Sequence, residues 1–225
     1  WEQDALDAEC ERVVTEFLRE YKGHVEFPLE TDALMLLVER HVSSLDRFAD
    51  LSDEGEGVQG ATDFVVGEKP RIRIARELSH QEWRENRLRT TVAHEFGHVR
   101  LHGPFWEQQM SQQALFSDDD LPSSRSCHET DLIEANRTDW VEWQAGYVSG
   151  ALLMPISHVN DVVRQELRER EHYSRVSADS RLAETLVERV SEAFQVSTAA
   201  ARVRLLQLDA ITQDDVGPSL FGQPG

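Results

Sequence analysis

The sequence predicts an α+β fold, mainly helical with a small sheet. Three observations lead there. Apolar residues recur at helical spacing over most of the 225 residues, two short runs near the middle have strand character, and Gly- or Pro-containing breaks separate the segments. Asp4 to Tyr21 carries Ala5, Ala8, Val13, Phe17 and Leu18 at helical spacing and reads as an amphipathic helix. After a break at Gly23 to Pro28, Thr31 is positioned as the N-cap of a second helix through Leu34, Leu36, Leu37 and Val38. The acidic, glycine-rich stretch Asp53 to Gly60 reads as a loop. Thr62 to Val66 and Arg71 to Ala75 are the two strands, and RIRIA alternates charge with isoleucine as a half-buried strand does. Ser79 and Glu82 form a capping-box pattern opening a helix to about Leu101, which Gly103–Pro104 stops. The polar stretch from Gly103 to about Cys127 reads as a long loop. A helix over Thr130 to Leu153 follows, then two or three amphipathic helices up to Leu208 and a tail. The expected organisation is a domain over 1–155, a helical region over 156–210 and a tail over 211–225.

Charge narrows the partners. A formal net charge of −19 repels phosphate backbones and favours a basic protein, a peptide or a metal ion. Cys10 and Cys127 lie far apart and form no disulfide framework. No run approaches the ~18 apolar residues of a membrane helix, and WEQDALDAEC has neither the basic start nor the apolar core of a signal segment. A cytoplasmic protein with no membrane partner is expected.

The chemistry-bearing segment is TTVAHEFGHVRLH, Thr90 to His102. On a helix His94 and His98 lie one turn apart on one face, so two imidazoles can grip one cation, zinc first and manganese as the alternative. Glu95, beside the first ligand, can reach water held by that cation without being a ligand itself, which makes it the candidate catalytic base. Leu88, Val92, Phe96 and Val99 give the helix an apolar face to bury. His102, one turn further, could face the same site, but reads first as a cap on the helix end, where histidine suits the dipole. For the third metal ligand Glu142 is favoured because Ala145, Gly146, Ser149 and Gly150 share its face and let two helices approach closely; Glu134 and Asp139 are the rival carboxylates.

TVAHEFGHVRLH followed by EWQAGYVSGALLMP (Glu142–Pro155) resembles the ImmA/IrrE family of metallopeptidases, whose HExxH helix is followed by an E-x-E-A-N-x-F-A-type helix running into L-L-x-P. LLMP sets the register, and the family's first glutamate then falls on Glu142. Gln144, Gly146 and Val148 stand where the family usually has glutamate, asparagine and phenylalanine. The resemblance extends to FPLETD, RIRIA and VSEAFQVSTAAARVRLLQL. It implies a minimal, zincin-like, thermolysin-related core with zinc on His94, His98 and Glu142. It also implies endopeptidase action on an Xre-type helix-turn-helix repressor, relieving repression of stress-response or mobile-element genes. A sensor or docking module that binds the repressor without cutting it is the alternative, and a general secreted metallopeptidase is a third reading.

RIRIA is a possible edge for an extended substrate. Val190–Leu208 has helix-turn-helix spacing at Phe194, Val196, Ser197, Ala201 and Leu205, but Arg202 and Arg204 are few, so direct DNA binding is not expected. Cys127, His128 and Glu129 read as a loop cluster, and neither His128 nor Tyr147 has spacing evidence as an oxyanion stabiliser.

Overall fold

The computed structural model describes residues 1–65, 67–79, 84–103, 106, 124–128 and 140–213. These form a mainly helical α+β architecture around a four-stranded sheet. Helix α1, Gln3–Lys22, buries Leu6, Cys10, Val14, Phe17 and Leu18, one residue per turn along a single stripe, and ends on Gly23, whose φ of 80° suits a residue without a Cβ. Helix α2, Thr31–Glu39, buries Leu34, Leu37 and Val38. Thr31 is its first helical residue and not its cap, because the hydroxyl is drawn to Glu85 Oε1 at 2.5 Å.

The strands are β1 (Ser44–Ala49), β2 (Val58–Asp63), β3 (Arg71–Ala75) and β4 (Ser124–His128), in spatial order β1-β3-β2-β4. β1 runs parallel to β3, and β2 is antiparallel to both β3 and β4. Three expectations are corrected here. β2 begins at Val58, inside the stretch read as a loop. Cys127 and His128 belong to a strand and not to a loop cluster, whereas Glu129 lies outside the described residues. RIRIA is not an edge: Leu45 and Thr62 both pair with Ile72, so β3 is closed on both sides, and β1 and β4 form the edges among the described residues.

Arg76–Ser79 forms a short helix, α3, and Ser79 donates its hydroxyl to the Arg47 carbonyl at 2.6 Å. It therefore does not open the next helix, and Glu82 lies outside the described residues. That helix, α4, spans Glu85–Gly97 and widens into a π-helical turn over His98–His102. Helices α5 (Trp140–Leu153), α6 (Ile156–Glu169), α7 (Arg181–Phe194) and α8 (Thr198–Gln207) complete the described chain. The expected start of α5 at Thr130 falls outside the described residues, as does most of the stretch 103–127. No described helix is long and apolar enough to cross a membrane.

One continuous core joins α1, α2, the sheet and α4 to the C-terminal helices, from Val14 through Ile72 and Phe96 to Phe194 and Leu205. Arg89 of α4 crosses this core with 2 % of its surface exposed. It donates to the carbonyls of Leu29 (2.6 Å), Gln195 (2.5 Å) and Phe194 (3.3 Å). Phe194 and Gln195 end α7, where unpaired carbonyls make the helix terminus negative, so a cation replaces the missing donors. The arginine thus ties α4 to the C-terminal helices. The α7–α8 turn has Gln195 left-handed (φ 50°) and Ser197 capping Ala200 N–H at 3.1 Å.

Candidate metal centre

Helix α4 is unusual in being buried almost all round its second half: His94, Glu95 and His98 are each fully buried. Two close approaches enclose it. A Cβ on Gly97 would lie 2.9 Å from the Cα of Ala145, so the absent side chain lets α5 press onto α4. A Cβ on Gly60 of β2 would lie 2.5 Å from Glu95 Oε1, so a second glycine makes room for that carboxylate. Of the small residues expected to ease helix contact, only Ala145 meets Gly97; Gly146, Ser149 and Gly150 line a cavity instead.

The contact delivers Glu142, in the first turn of α5, to the two histidines. His94 Nε2 and His98 Nε2 lie 3.2 Å apart, and Glu142 Oε2 lies 3.2 Å from the first and 3.4 Å from the second. A tetrahedral centre with bonds of about 2.0–2.1 Å spaces its ligand atoms about 3.3–3.4 Å apart. The donor set, two imidazoles and a carboxylate, and the three separations therefore fit one zinc-sized divalent cation. These three residues form a buried group able to hold a metal ion. Burial by itself would raise the Glu142 carboxyl pKa, but hydrogen bonds with His94 and His98 hold it well below the usual carboxylate range. Glu134 and Asp139 lie outside the described residues.

Glu95 stands beside this group without joining it. Its Oε2 accepts the Thr62 hydroxyl at 2.6 Å, while Oε1 is buried without a partner among the described residues. Burial pushes its pKa up to about 7, against the opposing pull of the His98 charge and the Thr62 hydrogen bond. A carboxylate with a free oxygen and a pKa near neutrality can take up and return a proton.

His102 corrects another expectation. It does not sit at a solvated helix end: it is buried, and its Nδ1 lies 3.2 Å from His98 Nδ1. It lies one turn after His98 on the same side of the helix. A cation on His98 Nε2 would leave Nδ1 to carry the proton, and the contact with His102 would then fix the ring of that ligand. The Gln144 amide faces His102 Nε2 at 3.1 Å, and its two orientations answer the two tautomers: the oxygen accepts from a protonated Nε2, whereas the NH2 group donates to a bare one and leaves the oxygen for Trp140 Nε1 at 3.0 Å. The HxxxHxxxH spacing of residues 94, 98 and 102 is the sequence signal for this extension. Tyr147 is not part of the centre; its hydroxyl donates to Asp7 Oδ2 at 2.6 Å. No family model matches the chain, and no curated protein matches it either.

Proposed function

We propose that this protein is a zinc-dependent endopeptidase of the ImmA/IrrE type, with His94, His98 and Glu142 holding the metal and Glu95 as the general base. The observation that carries the reading is the convergence of three ligand atoms at tetrahedral spacing beside a buried carboxylate with an unpartnered oxygen. A bound divalent cation would polarise a scissile carbonyl and lower the pKa of water. Glu95 Oε1 takes the proton from the attacking water and returns it to the leaving amine, and Thr62 holds the other oxygen so that Oε1 is the one presented. Gly60 keeps the carboxylate close to β2. The edge strand β4, paired to β2 on one side only among the described residues, offers backbone groups to an extended substrate.

The substrate we infer is an Xre-type helix-turn-helix repressor, cleaved to derepress stress-response or mobile-element genes. A basic DNA-binding protein complements a chain of net charge −19, and such complementarity raises encounter rate and selectivity. Manganese is the alternative metal. The test is co-incubation of the zinc- or manganese-loaded protein with the repressor encoded beside it, read by mass spectrometry, with Glu95→Gln as control. Cleavage should occur at a defined bond, require metal, and fall at least ~100-fold in the variant, which keeps its metal. Binding without cleavage would favour the docking-module reading, and turnover by metal-loaded Glu95→Gln would remove Glu95 from the mechanism.

A further inference from the structure

A chain of hydrogen-bonding groups leads from His98 away from the ligand atoms to the first turn of α5. His98 Nδ1 lies 3.2 Å from His102 Nδ1, and His102 Nε2 lies 3.1 Å from one end of the Gln144 amide. The other end of that amide lies 3.0 Å from Trp140 Nε1 and 3.4 Å from the Trp1 carbonyl. His102 and Gln144 are buried, so each depends on protein partners. Trp140 is 51 % exposed, so its N–H has water as a second acceptor.

A neutral imidazole has a single N–H, and this gives the whole chain a direction. Without a metal, Glu142 Oε2 at 3.4 Å draws the His98 hydrogen to Nε2. His98 Nδ1 is then bare and accepts from His102 Nδ1. The bare Nε2 of His102 accepts from the Gln144 NH2 group, and the Gln144 oxygen accepts from Trp140 Nε1. A cation on His98 Nε2 would reverse every step. His98 then donates from Nδ1, His102 donates from Nε2 to the Gln144 oxygen, and the amide NH2 turns to the Trp1 carbonyl. The Trp140 N–H, now facing a donor, is left to solvent. Both directions are satisfied only because His102 and Gln144 each give and take a hydrogen bond, one by changing tautomer and the other by turning its amide.

We propose that His102 and Gln144 are positioning residues of the metal site, which set the tautomer of His98 and carry its metal occupancy to Trp140 by reversing the direction of their hydrogen bonds. A ligand imidazole whose outer nitrogen is hydrogen-bonded is held in orientation and made more basic, so the pair also strengthens metal binding. This role rests on the metal-ligand half of the proposed function and not on peptide cleavage.

The test is a zinc titration of the ¹⁵N-labelled, metal-free full chain. Long-range ¹H–¹⁵N spectra of the imidazoles distinguish the two tautomers, and the indole signal of Trp140 is assigned by its loss in Trp140→Phe. At saturation the His102 hydrogen should have moved from Nδ1 to Nε2, and the Trp140 indole hydrogen should exchange with water about tenfold faster, the loss of one hydrogen bond. Gln144→Glu keeps the size of the side chain but only accepts. It should hold the zinc-loaded direction with and without metal, so that His102 keeps its hydrogen on Nε2 throughout, and should bind zinc at least as tightly as wild type. His102→Phe should uncouple Trp140 from zinc and weaken zinc binding about tenfold, measured by chelator competition. Zinc binding that leaves the His102 tautomer unchanged, or an equal Trp140 response in His102→Phe, overturns the proposal, as does a Gln144→Glu protein in which His102 still switches. Failure of the wild-type protein to bind zinc at all removes the ligand assignment itself, and the proposal with it, so the two failures are told apart.

Discussion

Two buried polar clusters pack against α5, and they are completed differently. Asp7, Tyr147 and Arg204 are 5 %, 1 % and 0 % exposed, and within the trio charge and hydrogen bonds nearly close: Asp7 accepts from the Tyr147 hydroxyl and from Arg204, whose guanidinium also lies over the Tyr147 ring. The candidate metal-ligand group lies about one turn earlier on the helix, with both histidines fully buried and Glu142 part-buried. Its three ligand atoms converge, and His94 Nδ1 and Glu95 Oε1 have no partner among the described residues. Burial demands that polar groups be paired, and the first cluster meets that demand except at Arg204 Nη1, which has no partner among the described residues. The second instead gathers two imidazoles and a carboxylate around one point, a convergence that pairing does not require. That difference separates an ion-paired cluster from a candidate ligand group.

The sharpest way to break the comparison is Asp7→Ala. It leaves Arg204 buried without its counter-charge and should cost about 3–5 kcal/mol of stability, read by urea denaturation of the metal-free protein. Glu142→Gln should behave oppositely. Metal affinity should fall by more than ~100-fold, about 2.7 kcal/mol, because a lost ligand costs more than a lost outer hydrogen bond. The metal-free fold should lose about 1 kcal/mol or less, since the amide still accepts from an imidazole. Competition with a chromophoric chelator measures the first and denaturation the second. Equal stability losses in the two variants would mean that both clusters are structural.

Legibility in the sequence followed the same division. The metal cluster was readable because its spacing is local: residues 94 and 98 are one turn apart, and a register marker sits just after Glu142. The structural cluster was invisible, because its hydrogen bonds join positions 140 and 197 residues apart, and Arg204 and Tyr147 carry no local pattern. β1 and β4 were missed for a related reason. SLDRFA and SRSCH lack the apolar alternation that marks a half-buried strand, and pairing with β3 and β2 supplies what local composition does not. His102 reads as a cap because a histidine suits the negative end of a helix, whereas burial against His98, one turn before it, decides its place.

A milder change sharpens the account of the structural cluster. Tyr147→Phe removes one of the donors to Asp7 but leaves Arg204 in place, so it should cost about 1.5 kcal/mol, well short of Asp7→Ala. Metal content, measured by elemental analysis, should not change, because the tyrosine takes no part in the ligand group.

The smallest expected effect on stability comes at the junction between sheet and site. Gly60 lies on β2, paired with Ile74 and Cys127 beside a register shift after Val58, and its φ is outside the left-handed region, so its backbone imposes no demand for glycine. The demand comes from Glu95, whose Oε1 and Cγ would lie 2.5 and 2.9 Å from a new Cβ, and from Thr91 Cγ2 at 2.9 Å. Gly60→Ala should therefore cost only about 1 kcal/mol, since a carboxylate can swing away more easily than a backbone can shift. The swing carries Oε1 out of position and strains its partner bond to Thr62, so peptide cleavage should fall at least tenfold while zinc affinity stays at the wild-type value. Loss of zinc together with activity would show that β2 supports the ligand histidines directly. An unchanged rate would mean that Glu95 does its work from a position other than the one it holds against this strand.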